Sequence, residues 1–559
     1  MNYSSSMCYT NPYSCQNPGT AGLRKKVEVF KQNKYTENFI QAIISSLNEE
    51  ELANCTLIVG GDGRYFTNEA IKLIIEIAAG NGIGKLVIGK NGLLSTPAAS
   101  NLIRQHNAIG GIILTAFYRR AGPFGHFGIK FNDRNGCPAS EERSKKLSEA
   151  SKNIRSVIKV RSMECNINSD PRQYTFIVDN REFKVNIINP ECDYVRLMKD
   201  IFDFQVIKNF LEGKEFRQPF NIIIDSRNGV TGPYVEQIFG KELGVHSSCI
   251  FRTIPLSDFS GLHPDPNASY STELVGELVK KGNYDFGAAL DTDGSRSMIL
   301  GRDGVYVTPG DSLAIIAANF HHIPYFRITG LKGIARSTLT SAAVDKVANY
   351  LDSKFYEVPI GWEFFPLLLE GNMYSLCGEE TMGIGPDNIR ERDGIWTVLA
   401  WLQIMASRKM ELQDLVMAHW EKFGRNVFAR FDYVSCDIQQ SELVFQHIEE
   451  VIRSEGFVGK ELSSNGKSYT VKEAGHFEYF DPVDGKSTPT QGIKVIFGDG
   501  SRILYGRSDT SSQAETIKIY VDAYEAERVN EYPKVIMEPL VSIAHGIAEI
   551  DNFTGLNQS

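Results

Sequence analysis

The chain has 559 residues, of which 42% are hydrophobic and 23% are charged, and its formal net charge is −9 at pH 7. This length predicts several folded domains, and this composition excludes a chain dominated by disorder. Because charges of both signs alternate without long single-sign blocks, a nucleic acid or an anionic membrane is excluded as the main partner.

The N-terminal sequence MNYSSSMCYTNPYSCQNPG has neither the basic region nor the apolar region of a secretory signal, and no apolar run reaches transmembrane length. We therefore expect residues 1–17 to form an exposed polar arm. The nine cysteines are scattered and never spaced C-x-x-C. This pattern predicts a reducing cytoplasm, without a disulfide framework or a zinc site.

Strand and helix patterns alternate from Cys55 onward. The run CTLIVG predicts a strand, a helix is expected from Asn68 to Gly80, and KLVIG, TPAASNLIRQH and GIIL predict a strand, a helix and a strand. Such alternation predicts a mostly parallel sheet covered on both faces. The next segment, Thr115 to Asn132 (TAFYRRAGPFGHFGIKFN), then lies beyond the carboxyl end of a strand, where such sheets bind ligands.

Similar units recur in FNIIIDSRNG with TGPYVEQIFGKEL and in GIARS with TLTSAAVDKVANYL, so we predict three related α/β domains in tandem. GIKVIFGDGSRILYG predicts a hairpin around Gly498 to Gly500, and IKIYVDAYE a later element, which favours a C-terminal α+β domain. The predicted domains span residues 18–189, 190–305, 306–423 and 424–559.

Eight short motifs follow one another along the chain: PGTAGLRKKV, VGGDGR, GIILTA with GPFGHFGIKFN, HPDPN, DTDGSR, GWEFF, CGEETMG and IRERDG. In this order they resemble the phosphoglucomutases of the α-D-phosphohexomutase superfamily. The resemblance implies an α/β fold of four domains around a central cleft, with one loop from each domain. It also implies transfer of phosphate between C1 and C6 of a hexose through a phosphoserine, Mg²⁺ and a bisphosphorylated sugar.

The serine loop of the family reads T-A-S-H-N-P-G-G, and Phe117 stands here at the phosphoserine position, followed by Tyr118. A phenyl ring cannot hold or transfer phosphate, and no nearby serine or cysteine replaces the lost hydroxyl. Lys130 matches a family lysine proposed for proton transfer. Without a phosphoryl donor we expect it to be a surface or phosphate-facing lysine that moves no proton.

The metal loop of the family reads D-G-D-G-D-R. Asp291 and Asp293 match its first two aspartates, and Ser295 stands at the third. Mg²⁺ needs near-octahedral oxygen ligands and carboxylate charge, so this exchange weakens the site. We expect no cofactor and an Asp-rich turn satisfied by backbone amides, with weak Mg²⁺ or Ca²⁺ binding at the two aspartates as the alternative.

The sugar loop is better preserved than the serine and metal loops. Glu379 and Thr381 stand where the family has a glutamate and a serine that hold sugar hydroxyls, and Arg392 replaces a lysine. Glu363 replaces a lysine directed at the phosphosugar, which puts a negative charge where a dianion approaches. Arg24, kept within PGTAGLR, is interpreted as a remnant of the site or as part of a structural turn.

The phosphate loop of the family reads R-x-S-G-T-G-S. Arg507, Ser508, Thr510 and Lys518 remain here as candidate anion ligands, but the arginine has moved by one residue and both glycines are replaced. A cradle of backbone amides depends on the positive φ of glycine, and Asp509 adds charge of the wrong sign. Phosphate capture is therefore predicted to be poor.

Losses at several loops of one cleft predict a degenerate, catalytically inactive family member. We expect it to bind protein partners in a structural or scaffolding role. The family relatives aciculin and parafusin, linked to the cytoskeleton and to secretory vesicles, make a cytoskeletal, ciliary or vesicle-associated assembly the expected class. The alternatives are a sugar-phosphate sensor without turnover and a phosphoglucomutase with residual activity. For Phe117 to Arg120, an interface hot spot and a plug in the emptied cleft both stay open.

Overall fold

The computed structural model describes residues 2–556 except residues 20, 48–51, 53–54, 215–217, 282, 489–491 and 510–513. The chain forms two compact units. The first comprises Met1–Val307, Asn319–Leu331 and Thr381–Gln413, and the second Thr308–Ala318, Lys332–Glu380 and Asp414–Ser559. The four predicted domain boundaries stay a prediction.

The strands, numbered in chain order, are β1 Asn2–Tyr3, β2 Ser5–Tyr9, β3 Leu23–Lys26, β4 Thr56–Gly61, β5 Lys85–Leu93, β6 Gly110–Leu114, β7 His126–Asp133, β8 Ser156–Val160, β9 Arg172–Val178, β10 Arg181–Ile188, β11 Ile222–Asp225, β12 Ile250–Phe251, β13 Phe286–Leu290, β14 Ser297–Gly301, β15 Tyr306–Val307, β16 Ile334–Ser337, β17 Phe355–Val358, β18 Leu376–Glu379, β19 Gly383–Pro386, β20 Arg425–Asp437, β21 Glu461–Ser464, β22 Lys467–His476, β23 Tyr479–Phe480, β24 Ser487–Thr488, β25 Ile493–Phe497, β26 Arg502–Asp509 and β27 Ala514–Glu525.

The α-helices are Val27–Phe30, Tyr35–Ser45, Thr67–Gly80, Thr96–Gln105, Glu141–Asn153, Pro190–Ile201, Phe204–Leu211, Thr231–Val235, Thr272–Lys281, Pro309–Ala318, Pro324–Thr329, Ala343–Tyr350, Phe365–Glu370, Gly394–Arg408, Leu412–Phe423, Ile438–Arg453, Pro533–Ala548 and Ile550–Thr554. A π-helical segment, Glu236–Glu242, continues the helix Thr231–Val235. No helix in the described part of the chain is both long and apolar enough to cross a membrane.

The largest sheet of the first unit has eight strands in the order β1-β9-β10-β5-β4-β6-β7-β3. Its centre, from β10 to β6, is parallel, whereas β9, β7 and β3 pair antiparallel toward the edges. The residues of β6 are all buried, as expected for a central strand that is covered on both faces. Thr115 follows directly at the carboxyl end of this strand.

A second sheet of the first unit has the order β12-β11-β13-β14-β15. The first three strands are parallel, and β14 and β15 are added antiparallel. Because β13 ends at Leu290 and β14 begins at Ser297, the connecting turn is Asp291 to Arg296. This turn is the predicted metal loop.

The second unit contains the parallel strands β17, β16 and β18 and a six-stranded antiparallel sheet in the order β20-β27-β26-β25-β22-β21. The strands β25 and β26 form the predicted hairpin, and Gly500 in its turn has a φ of 95°. The next hairpin, from β26 to β27, carries the predicted phosphate loop.

Each unit has its own apolar core. In the first, the helix Thr67–Gly80 buries Ala70, Ile71, Ile74 and Ile75 in a cluster that also includes residues of the eight-stranded sheet, because its apolar residues recur every three to four positions. In the second, residues of the helices Ile438–Arg453 and Pro533–Ala548 cluster with residues of the antiparallel sheet.

The N-terminal segment is not the free arm expected from its composition. The strand β1 pairs in parallel with β9, and β2 pairs antiparallel with β8. The ring of Tyr3 packs edge-on against Phe176 at 5.8 Å. Backbone pairing satisfies main-chain groups whatever the side chains are, and most side chains of β2 stay partly or fully exposed. The polar composition therefore predicted a free tail, whereas the segment forms two paired strands.

Candidate functional site

Thr115 connects the end of β6 to two buried aspartates of the first unit. Its hydroxyl oxygen lies 2.7 Å from Oδ2 of Asp62 and 3.2 Å from Oδ2 of Asp293. The same oxygen accepts a hydrogen bond from the backbone N–H of Phe117 at 3.1 Å. The turn after β6, which is the predicted serine loop, is thus fixed by the side chain of Thr115 directly before it.

Arg64 holds the rest of this turn in place. Its guanidinium is ion-paired with Asp62 at 2.8 Å and donates to the carbonyl of Phe117 at 3.0 Å. It also donates to the carbonyls of Arg119, at 3.2 Å, and His126, at 3.0 Å. Arg64 is 1% exposed. One buried arginine therefore satisfies three carbonyl groups that a turn would otherwise leave without partners.

Phe117 occupies the centre of the turn, and its side chain is buried. It is 6% exposed and has a φ of 52°, a left-handed conformation that is unusual for a bulky residue. Three cations lie near its ring, with Arg24 at 5.0 Å, Lys130 at 5.5 Å and Arg392 at 5.9 Å from the ring centroid. These distances are those of cation–π contacts, so the phenyl ring packs as the centre of a cationic cluster.

The residues after Phe117 turn outward. Tyr118 is 44% exposed, Phe124 is 92% exposed, and Arg119 and Arg120 are also exposed. The guanidinium of Arg296 lies 5.5 Å from the ring centroid of Tyr118. The structure thus divides the segment Phe117 to Arg120, with Phe117 buried and the three following side chains available at the surface.

Lys130 is not on the surface, so this part of the expectation was wrong. It is 2% exposed and forms an ion pair with Glu391, Nζ to Oε2, at 2.9 Å. Asn132 donates to the same carboxylate oxygen at 3.2 Å. A buried lysine needs such a counterion, because an unpaired buried charge is strongly destabilising.

The turn Asp291 to Arg296 satisfies its carboxylates internally. The backbone N–H groups of Ser295 and Arg296 donate to Asp293 and Asp291, each at 3.1 Å. The hydroxyl of Ser295 donates to Oδ2 of Asp291 at 3.0 Å. Thr96 places its hydroxyl oxygen 3.4 Å from Asp293. Amides and hydroxyl groups thus surround both carboxylates.

The surroundings shift the pKa values of the two aspartates in opposite directions. Burial, together with the neighbouring charge of Asp293, raises the pKa of Asp291 well above its usual value. Burial also opposes ionisation of Asp293, but hydrogen bonds from Ser295 and the charge of Lys130 outweigh it and lower the pKa of Asp293. The surroundings thus favour the protonated form of Asp291 and the ionised form of Asp293.

This donor set does not fit a Mg²⁺ site of the family type. The hydroxyl group of Ser295 lies at the position predicted for the third carboxylate and donates to Asp291. Mg²⁺ requires charged oxygen ligands in near-octahedral geometry. Within the described residues, no group of three or more His, Cys, Asp and Glu side chains is arranged to hold a metal ion.

Arginines crowd the surroundings of Phe117. Burial lowers the pKa of Arg24, and the nearby charges of Arg119, Arg296 and Arg392 lower it further. Arg296 is 8% exposed, and its Nε has no hydrogen-bond partner among the described residues. The cluster thus has a positive potential that favours an anion.

The sugar-loop residues lie in different environments. Glu379 ends β18 of the second unit and is buried. Thr381 belongs to the first unit and is exposed, and Arg392 of the same unit is buried beside Phe117. Their predicted role in holding sugar hydroxyls stays a prediction.

The phosphate-loop residues lie on the hairpin from β26 to β27. Gly506 pairs with Lys518 and Arg507 with Ile517, while Thr510 lies outside the described residues. Arg507 lies 3.6 Å from Glu515, and its guanidinium is 5.5 Å from the ring of Phe445. A carboxylate of this chain thus competes with any anion for Arg507.

A cavity of about 630 Å³ in the second unit brings three of the predicted anion ligands together: Arg507, Ser508 and Lys518. Its wall also includes Lys494, which forms an ion pair with Glu357 at 2.9 Å. Aromatic side chains, among them Phe477, cover much of the remainder. A cavity of this size accommodates a small anion with an apolar or sugar-sized body.

Sequence reasoning interpreted Arg64 as part of a structural turn but assigned no role to Asp62 and Glu391, which pair with Arg64 and Lys130. A signal was present for each of them. Asp62 and Arg64 directly follow the strand β4, and Glu391 lies in the IRERDG motif. The pairing itself could not be predicted, because Lys130 and Glu391 are 261 residues apart in the sequence.

Sequence models of four family domains match the chain. Those described as phosphoglucomutase/phosphomannomutase, alpha/beta/alpha domains I, II and III, match residues 15–157, 193–304 and 309–423. The one described as phosphoglucomutase-1, C-terminal domain, matches residues 425–559. Together they confirm the predicted fold class, with three α/β domains and a distinct C-terminal domain.

The chain is similar to phosphoglucomutase-1 of Oryctolagus cuniculus, with 47% identity over 551 residues that cover 98% of this chain and 97% of the relative. It is 43% identical to phosphoglucomutase-like protein 5 of Homo sapiens over 552 residues, covering 98% and 96%. The open form of the exocytosis-sensitive phosphoprotein pp63/parafusin, a phosphoglucomutase from Paramecium, matches with a TM-score of 0.92 and 37% identity, covering 100% and 99%. The chain therefore belongs to the phosphoglucomutase family of the α-D-phosphohexomutase superfamily.

Proposed function

We propose that this chain is a catalytically inactive member of the phosphoglucomutase family with a structural or scaffolding role. The observation that carries the proposal is Phe117, whose buried ring stands at the position of the family phosphoserine. The ring is 6% exposed and is surrounded by three cations. A phenyl ring offers no oxygen to receive or donate a phosphoryl group.

The metal turn supports the same proposal. Ser295 stands at the third carboxylate position and donates to Asp291 at 3.0 Å. Phosphoryl transfer depends on charge stabilisation and positioning, so losing the carrier and weakening the cation site together should remove nearly all turnover.

The proposed partners are proteins of a cytoskeletal, ciliary or vesicle-associated assembly in the cytoplasm. One relative of this chain, parafusin, is described as an exocytosis-sensitive phosphoprotein. The exposed side chains Tyr118, Arg119 and Arg120 have the composition of interface hot spots, since aromatic and arginine residues dominate such sites.

Incubation of the full chain with glucose 1-phosphate and glucose 1,6-bisphosphate tests the loss of activity. We expect no glucose 6-phosphate and no phosphoryl adduct in the intact mass, while rabbit phosphoglucomutase-1 treated in parallel gives both. Turnover, or a stable adduct on the chain, would overturn the proposal and favour a phosphoglucomutase with residual activity.

Affinity purification from native cells tests the scaffolding role. The wild-type chain is compared with the variant F117S/Y118H/R119N/R120P, which restores the family sequence of the loop. We expect a defined set of partners that the variant loses. An unchanged set removes the loop from the interface, and the absence of any specific partner contradicts a scaffolding role.

A sugar-phosphate sensor is the second candidate, favoured by the cavity that contains Arg507, Ser508 and Lys518. A ligand that binds only the folded chain raises its melting temperature. Hexose phosphates at millimolar concentration should then raise it for the wild type and not for Lys518→Met. No shift for the wild type excludes the sensor.

A further inference from the structure

We infer that the loop Tyr118 to Phe124 and the cavity beside it form a docking surface for an acidic peptide segment that carries one apolar anchor residue. This inference rests on the interaction role proposed above and names the chemistry of the partner. All the residues that carry it lie in the first unit.

The loop presents the residue types that dominate binding energy at interfaces. Phe124 is 92% exposed and Tyr118 is 44% exposed, and Arg119 and Arg120 lie between them at the surface. Tyrosine and arginine are enriched among interface hot spots, and exposed aromatic rings in sequence with two arginines are unusual on a surface without a partner.

Backbone hydrogen bonds hold the loop in one conformation. The N–H of His126 donates to the carbonyl of Arg120 at 2.8 Å, and that of Gly125 donates to Gly122 at 3.0 Å. The N–H of Val27 donates to the carbonyl of Gly125 at 2.9 Å. Since the loop is already ordered, a partner binding it does not bear the entropy cost of fixing it.

A cavity of about 530 Å³ adjoins the loop through Arg64, which lines it and also donates to the carbonyl of Arg119. Its rim includes Tyr65, Ile254 and Pro255. The N–H of Tyr65 donates to the carbonyl of Ser257 at 2.8 Å, which joins the two chain segments that line the cavity. Ile254 is 69% exposed, so the cavity offers apolar surface to an incoming aliphatic or aromatic side chain.

Basic side chains around the loop outnumber acidic ones. The basic ones near its surface are Lys26, Lys31, Arg119 and Arg120, and the acidic ones are Glu69 at the cavity and Asp258 beside Gly122. Beneath Tyr118, the buried Arg296 has an Nε without a hydrogen-bond partner among the described residues. Charge complementarity therefore favours carboxylates on the partner.

A peptide fits these features better than a nucleic acid does. A cavity with Ile254 and Pro255 on its rim, beside the exposed Arg119 and Arg120, accepts one apolar side chain between acidic neighbours. A nucleic acid needs a longer basic groove that follows its backbone.

Fluorescence anisotropy with the full chain tests the inference. The probe is a fluorescein-labelled peptide of Asp and Glu residues around one central Leu. We expect saturable binding that weakens about tenfold in R119E/R120E, because arginine hot spots each contribute substantially. Ile254→Asp, or Leu replaced by Ser in the probe, should weaken binding to a similar degree.

The matched control is R172E/R196E, which makes the same charge change at two exposed arginines elsewhere in the first unit. Equal weakening by both double variants would show nonspecific attraction and overturn the inference. Binding independent of the Leu, or displacement of the probe by inorganic phosphate or glucose 1-phosphate, would show a simple anion site and overturn it too. Unfolding curves for each variant ensure that the chain is folded.

The same experiments separate this inference from the proposed function. If the peptide fails to bind while glucose 1-phosphate is not turned over, the inference fails and the inactive family member stands. If glucose 1-phosphate is turned over, the proposed function fails whatever the peptide does.

Discussion

Phe117, which is predicted to stand at the phosphoserine position, offers its ring to the surrounding cations. The cluster of basic side chains faces the electron-rich face of this phenyl ring. Arg24, Lys130 and Arg392 lie 5.0 to 5.9 Å from the ring centroid. At this position an aromatic ring partly substitutes for an anion.

Phe117→Ala should lower the free energy of unfolding by about 3 kcal/mol, because it empties a buried site and removes the cation–π contacts. Urea unfolding of the full chain measures the change. Phe124→Ala is the control, since that ring is 92% exposed and its loss should cost about 0.5 kcal/mol or less. Equal effects of the two substitutions would contradict the packing described for Phe117.

Glu391→Gln should destabilise the chain by about 3 kcal/mol, because it leaves the buried Lys130 charge without its counterion. The double variant K130M/E391Q should regain most of that loss, since neither member of the pair then leaves the other as an unpaired buried charge. Urea unfolding of the two single variants and the double variant gives the coupling between the residues. Additive losses would show that the ion pair has no energetic coupling.

At the scale of strands and turns, local sequence predicted most of the elements near the site. The strand before Thr115, the helix that ends at Gly80 and the hairpin of β25 and β26 all follow from periodicity and turn residues. The pairing of β2 with β8 could not be predicted, since it joins residues about 150 positions apart through backbone groups alone.

Removal of residues 2–9 should lower the free energy of unfolding by about 2–4 kcal/mol, because β1 and β2 are lost and several ladder hydrogen bonds go with them. Urea unfolding measures the loss. Amide hydrogen exchange should become faster in β8, whose edge is then uncovered. A truncated chain as stable as the full one would show that the N-terminal segment is an arm after all.

Glu380, directly after β18, should make the stability of the chain depend on pH. Burial, together with the charges of Asp522 and Asp311, raises its pKa to about 8, although a hydrogen bond from the N–H of Ser341 opposes the shift. Because the folded state holds the proton more tightly than the unfolded state, this contribution is present at low pH. It is lost as the pH rises through about 8.

Glu380→Gln should therefore equal the wild type in stability near about pH 4 and exceed it by roughly 5 kcal/mol near about pH 9. Urea unfolding at both pH values measures the difference. Glu442→Gln is the control, because Glu442 is exposed in the same unit. Parallel pH profiles for the wild type and Glu380→Gln would contradict the buried proton.

At the scale of the whole molecule, ordered motifs predicted the fold class correctly because they extend from the N-terminal region to the C-terminal domain. The candidate site was less predictable. Side-chain identity at Phe117 and Ser295 predicts lost chemistry, and this stays a prediction. Lys130 was wrongly expected at the surface, because its partner, Glu391, is distant in sequence. Charged residues that pair with partners distant in the chain leave no local sequence pattern.

The double variant F117S/S295D should not recover the turnover of a family enzyme. It restores the phosphoryl carrier and the third metal carboxylate, but the phosphate loop keeps Glu515 3.6 Å from Arg507. Groups that act together in catalysis are strongly non-additive, so turnover should stay about a thousandfold or more below that of rabbit phosphoglucomutase-1. Product assays with glucose 1-phosphate measure this, and turnover within tenfold of the rabbit enzyme would contradict it.

Arg64 gives position 117 a geometry that does not depend on the side chain there. Its guanidinium donates to the carbonyls of Phe117, Arg119 and His126, and the N–H of Phe117 donates to the hydroxyl oxygen of Thr115. The φ of 52° at Phe117 is therefore imposed by its neighbours. The backbone of the turn therefore keeps its conformation whichever side chain stands at position 117. A substitution at this one residue changes the side chain that the turn presents without changing the fold around it.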